Sequence, residues 1–202
     1  MSGGWTGERR DSAPPGRRES RPAERIQTHH SLRRCVPMSG PVAAGDPVID
    51  FVLTGLDGRT YDLGAARAAG DAVLYMIYKA GCGTCRLAFP FIQRLHDQYA
   101  GPGFQVWAVS QDDPEQTAEF ARTQGATLPI LLDADLAVTE AHRLTNVPAI
   151  YLVDASDRIV RHSAAFVKAE LNAMARMAAH RTGRPFQPIV RDEDDAPDFR
   201  PG

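Results

Sequence analysis

From residue 48 onward the chain shows two kinds of hydrophobic pattern. "VIDFVLTGLDGRTYDL" sets apolar and polar positions in turn on either side of Asp57-Gly58, which predicts a β-hairpin turning at that dipeptide. "AVLYMIY" (72–78) and "FQVWAVS" (104–110) are nearly continuous apolar runs of strand length, the pattern of sheet strands covered on both faces. Between them Leu87, Phe91, Leu95 and Tyr99 recur at helical spacing, predicting a helix over 83–100 that Gly101-Pro102-Gly103 ends. Asp113 is placed to cap a helix that begins at Pro114 and stops near Gly125. "LPILLD" predicts a short strand, and 135–144 a helix. "PAIYLVD" and "RIVRHS" read as a hairpin, and a final helix has Phe166, Leu171, Met174 and Met177 on its buried side. Strands alternate with helices until a hairpin closes the sheet. The expected class is an α/β sandwich with a mixed sheet.

A length of 202 residues with 43% apolar content suits one domain with tails. Charge separates the parts. Residues 1–40 hold eight arginines against four acids and little to bury, so they are expected to form a disordered basic arm. A true start at Met38 would make that arm an artefact; two lysines beside many arginines fit a GC-rich coding sequence in which such extensions arise. Residues 41–180 carry the domain. Residues 181–202, rich in Pro, Asp and Arg, are expected to be disordered as well. The arm has the charge to meet nucleic acid or acidic lipid, but a solvated tail is the simpler expectation, so no nucleic-acid partner is assigned. No apolar run reaches the roughly 18 residues of a transmembrane helix. The opening residues also lack the apolar centre of a secretory leader, which makes the cytoplasm the expected compartment. A misplaced start would reopen an extracytoplasmic one.

The candidate chemistry lies in "YKAGCGTCR", where Cys82 and Cys85 stand at CxxC spacing between the 72–78 strand and the following helix. A thiol at a helix N-terminus faces unpaired N–H groups and the positive end of the dipole, which favour thiolate. Cys82, at the first position, is the expected nucleophile. Cys85, one turn later, is the expected resolving thiol, with Gly83 and Thr84 forming the loop between them. A structural zinc would need about four ligands, and no second CxxC is present. Cys35 and the pair His29-His30 lie in the basic arm. Core filling by two small hydrophobes would not require Gly-Thr between them. A redox pair is the favoured reading, and neither a metal nor a bound cofactor is expected.

At this point the sequence resembles a known family. "AVLYMIYKAGCGTCRLAFPFIQRL" is similar to the active-site strand and helix of thioredoxin-fold proteins, with Pro90 five residues after Cys85, where thioredoxins kink this helix. "NVPAIYLVDASDRIV" resembles the segment that carries that fold's cis-proline. The resemblance makes Pro148 that residue and Val147 its neighbour facing the dithiol. "GDPVIDFVLTGLDGRTYDL" and the stretch between "FQVWAVSQDD" and "LPILLDAD" resemble the N-terminal hairpin and the strand-helix insertion of the TlpA-like, or redoxin, branch. The resemblance spans about residues 45–178 and implies a thiol-disulfide oxidoreductase that reduces or exchanges disulfides in protein substrates. It also implies an upstream dithiol reductant as a partner; a monomer is expected. Gly81, where most relatives have Trp, and Val147 and Pro148 are the implied substrate contacts. Met76 falls where thioredoxin has a buried acid, which leaves Lys79, Glu140 or water to move the second thiol's proton.

Two other classes share this fold. A peroxiredoxin's peroxide-reacting cysteine has Thr or Ser three residues earlier and a Pro further upstream. Here Lys79 and Cys82 are the residues three before the two cysteines, and no Pro lies between 48 and 89. A non-catalytic binding module of the same fold is disfavoured by the intact pair. The remaining conspicuous residues take plainer roles. Trp107 is read as core, His96, His142 and His162 as surface residues, and Asp112-Asp113 as a helix cap.

Overall fold

The structure is a computed structural model and describes residues 40–202. The basic arm, with Cys35, His29, His30 and Met38, lies outside the described residues. The sheet is organised around β3 (Ala72–Tyr78), whose seven residues are all buried. Its side chains alternate between two cores: Leu74, Met76 and Tyr78 enter one, and Val73, Tyr75 and Ile77 enter the other. A strand covered on both faces has no polar side, so its sequence is unbroken apolar. β4 (Phe104–Ser110) runs parallel to it on one side, followed by a parallel β5 (Ile130–Leu132). On the other side β6 (Ala149–Val153) pairs antiparallel with β3, and β7 (Arg161–Ser163) antiparallel with β6. The order β5-β4-β3-β6-β7 is a mixed sheet.

The predicted hairpin forms as β1 (Val52–Thr54) and β2 (Thr60–Asp62), turning through Gly58 at φ 75°, a backbone region that glycine enters without steric cost. It joins the sheet through Leu56 N–H donating to Ile130 O. Asp62 then caps a short α1 (Leu63–Ala68) that the periodicity had not marked. α2 (Gly83–Tyr99) carries both cysteines and contains Pro90. α3 (Pro114–Gln124) starts on the Asp113 cap and ends at Gly125 in the left-handed region. α4 (Ala137–Ala141) is shorter than the expected 135–144 helix, because Leu136 stands at φ 61°. No helix among the described residues is long and apolar enough to cross a membrane.

Three expectations are corrected. Phe166 belongs to β8 (Ala165–Val167) and precedes the last helix, α5 (Lys168–Thr182), although it is fully buried as its hydrophobicity demanded. Residues 181–202 are ordered. α5 runs to Thr182, Ile189 and Val190 are buried in the core beside α2 and α5, and β9 (Phe199–Pro201) pairs antiparallel with β8. The order comes from partners distant in sequence. Asn172 Oδ1 accepts from the N–H groups of Ile189 and Val190, and Arg94 holds Asp194 with two nitrogens at 2.6 and 2.8 Å. That guanidinium keeps the Asp194 carboxyl down at about 2. Third, the histidines are not surface residues as a group. His142 is wholly buried, and His96 and His162 are half-buried.

Candidate active site

The carboxyl end of β3 leads into the cysteine loop. Cys82 is the N-cap of α2: its Sγ accepts the Cys85 N–H at 3.1 Å, the bond that a Ser or Asp cap oxygen would accept. The same sulfur lies 3.4 Å from Val147 O, to which its thiol donates. Cys82 is half-buried, and Cys85 is wholly buried; both thiols are free. Burial chiefly, then the hydrogen bond with Cys82, pushes the Cys85 thiol far above the ordinary cysteine range, and the charges of Cys82 and Asp112 add to this. Met76 packs in the same core as Cys85. The peptide bond between Val147 and Pro148 is cis, and Pro148 is buried while the Val147 carbonyl faces Cys82.

The residues singled out in the sequence do not all converge. Cys82, Gly83, Thr84 and Val147 line one cavity of about 570 Å³, together with Asn146 and three residues from the chain's last segment, Arg200, Pro201 and Gly202. Gly81 is exposed and lines a different cavity, together with Arg86 and residues of α3. It does not share the Val147 cavity. Of the side chains considered for moving the Cys85 proton, Lys79 and Glu140 are both exposed.

Two contributors escaped the sequence reading. Asp113 does cap α3, but Asp112 does not share that role. Its buried carboxylate accepts the Ala80 N–H at 2.6 Å and so fixes the loop just before Cys82. The parallel register held the signal: Tyr78 pairs with Ser110, so the residues two beyond each strand end meet. The second contributor is Pro201, in the segment expected to be disordered: its carbonyl accepts from the Thr84 hydroxyl at 2.6 Å, which ties the last strand to the first turn of α2.

Comparison with known proteins agrees with this geometry. The AhpC/TSA family profile matches residues 44–163, more than half of the chain. The thiol-disulfide oxidoreductase ResA of Halalkalibacterium halodurans is 28% identical over 119 residues, 58% of this chain and 66% of that protein. A Mycobacterium tuberculosis protein provisionally named a peroxiredoxin is 34% identical over 99 residues, 48% of this chain and 61% of its own length. The match thus spans less than two thirds of either relative. Among solved structures, the thioredoxin domain of a thiol-disulfide oxidoreductase from Bacteroides vulgatus superposes with a TM-score of 0.60 at 23% identity, covering 68% of this chain and 99% of that one. The fold is thioredoxin-like, and the chain belongs to the AhpC/TSA family.

Proposed function

We propose that this protein is a thiol-disulfide oxidoreductase, with Cys82 as nucleophile and Cys85 as resolving thiol, acting on disulfides that include those of protein substrates. The observation that carries the reading is the unequal pair: a half-exposed sulfur at a helix N-cap and a buried thiol one turn along. The Cys82 thiolate attacks one sulfur of a substrate disulfide, forming a mixed disulfide and releasing the other sulfur as a thiolate, which takes up a proton. Cys85 then loses its proton and attacks the Cys82 sulfur. The Cys82 to Cys85 disulfide forms, the second substrate thiol leaves, and two electrons have passed from the enzyme to the substrate. A dithiol reductant returns the pair to its starting state. The Cys85 N–H points at the Cys82 sulfur and fixes where it meets the substrate disulfide. Val147, with its carbonyl beside that sulfur, is placed to pair with an extended substrate segment as an added strand would.

The test is disulfide reduction by the full chain with a chemical dithiol as electron source. Cys82→Ser is expected to abolish it, and Cys85→Ser to accumulate a mixed disulfide on Cys82. Activity retained by Cys82→Ser would overturn the reading. A thiol peroxidase is the second reading, favoured by the relative from M. tuberculosis. There, peroxide would oxidise Cys82 to a sulfenic acid and Cys85 would condense with it, releasing water. Rapid consumption of hydrogen peroxide by the reduced protein, without turnover of disulfides, would establish that alternative.

A further inference from the structure

The last segment of the chain reaches the dithiol and occupies its open side. Arg200 Nη2 lies so close to Gly83 that a Cβ there would stand 3.2 Å from it. Thr84 donates to Pro201 O, and Gly202 abuts the Val147 carbonyl so closely that a Cβ on Gly202 would clash with that oxygen. Val147 O is also the acceptor facing Cys82 Sγ, so Gly202 sits where a substrate strand would pair with the chain next to Pro148.

The two ends of this segment are held differently. Upstream it is fixed by buried Ile189 and Val190 and by Asp194 on Arg94. Downstream the three residues of β9 are all exposed, Phe199 to 60%, and are held by the short ladder to β8 and the Thr84 hydroxyl. A firm base and a loosely held tip are the mechanical requirements of a strap that can swing.

We infer that residues 199–202 are a specificity element that takes the place of an extended substrate strand beside Cys82. This rests on the oxidoreductase reading given above. With the strap in place, the cavity of about 570 Å³ next to Cys82 has room for a low-molecular-weight disulfide. A disulfide within a protein segment needs the edge that Gly202 covers, and exchanges only after the strap leaves. Small thiol disulfides are therefore the preferred substrates of this arrangement.

The experiment compares alkylation of Cys82 by N-ethylmaleimide and by a polymer-linked maleimide, in the full chain, in Thr84→Val and in a chain ending at Asp198. Thr84→Val keeps the length and shape of the protein and removes the donor to Pro201. It should raise the ratio of bulky to small reagent rates about fivefold, the equivalent of one net hydrogen bond. The shortened chain should raise it about tenfold or more, because the three-residue ladder goes as well. Reduction of insulin disulfides, taken as a ratio to reduction of a small aromatic disulfide by the same variant, should rise in step in both variants. An unchanged or lower ratio in both variants would overturn the inference. The alkylation arm needs no turnover. Loss of the oxidoreductase reading, seen as Cys82→Ser retaining activity, is therefore distinguishable from loss of the strap.

Discussion

The Ala80 N–H donates to the buried carboxylate of Asp112 at 2.6 Å, joining the ends of two parallel strands directly before the first cysteine. Ala80 is held on its other side as well, since its carbonyl accepts from Arg86 Nε at 2.8 Å, and Cys82 N–H donates to Lys79 O at 3.0 Å. Residues 79–82 are thus fixed by hydrogen bonds to their backbone groups, two from side chains at Ala80 and one within the backbone from Cys82 to Lys79. The position of Cys82 Sγ relative to Val147 follows from that loop as well as from α2.

Asp112→Ala should leave the Ala80 N–H without its acceptor and cost about 1–3 kcal/mol of stability. Asp112→Asn keeps a carbonyl oxygen in place and should restore most of the loss. Denaturant titration of the three proteins checks the energies. Amide hydrogen exchange at residues 80–82 should quicken in the alanine variant more than exchange in β3. Equal quickening throughout would show a general loss of stability rather than a loop-positioning role.

The reduced pair should alkylate in one order. Cys82 is reachable and Cys85 is wholly buried with its thiol pushed up, so of the two iodoacetamide near neutral pH should modify Cys82 and spare Cys85. Because burial raises the Cys85 value, labelling there should not appear as pH passes through the usual thiol range near about 8.5. It should require unfolding or much more alkaline solution. Both cysteines fall in one tryptic peptide, residues 80–86, so fragment-ion mass spectrometry must assign the adduct. Equal labelling of the two would contradict the asymmetry on which the mechanism depends.

Legibility in the sequence followed the range of the interactions involved. β3, β4 and α3 are local patterns: two apolar runs, and an Asp-Pro start with a Gly end, each matched by the structure almost to the residue. Cys82 and Cys85 were legible because strand end and helix start are both local. What escaped depends on partners far along the chain. Ile189 and Val190 are two apolar residues among prolines and acids, with no period of their own, and they order through Asn172 and Arg94. His142 looked like a helix-surface residue because α4 is short and polar around it, yet Tyr75 and Val138 enclose it. Asp112 was absorbed into a cap because its neighbour is one.

Ile189→Ala should therefore destabilise the whole domain and not merely loosen a tail. Ile189 is fully buried in the core that contains α2 and α5, and truncating such a side chain to Ala costs about 2–5 kcal/mol. A shift of the unfolding midpoint by thermal or denaturant melting checks this. Absence of any shift would mean that residues 184–202 are detached from the cooperative unit.

The last prediction concerns acid. His142 Nδ1 lies 2.8 Å from Val138 O, an oxygen that can only accept, so Nδ1 carries the hydrogen. Nε2, 2.9 Å from the Tyr75 hydroxyl, then accepts from it, and the ring is neutral. Burial is the main reason that His142 titrates below the ordinary imidazole value of 6.5; the Val138 bond and the Asp133 charge pull the other way without cancelling it. His96 and His162 are lowered in the same direction, again chiefly by burial. In the unfolded chain these rings bind protons as pH falls below 6.5, while the folded chain resists, so the unfolded state gains protons first. Their contribution is fully present above 6.5 and is lost as pH falls through the folded values. Stability should thus decline between about pH 7 and about pH 5, where carboxylates have barely begun to titrate. His142→Gln keeps donor and acceptor capacity without a titrating ring, and should flatten that decline even if it lowers stability at neutral pH. Denaturation midpoints of both proteins across this range decide the matter: parallel curves would remove His142 as a source of the acid sensitivity.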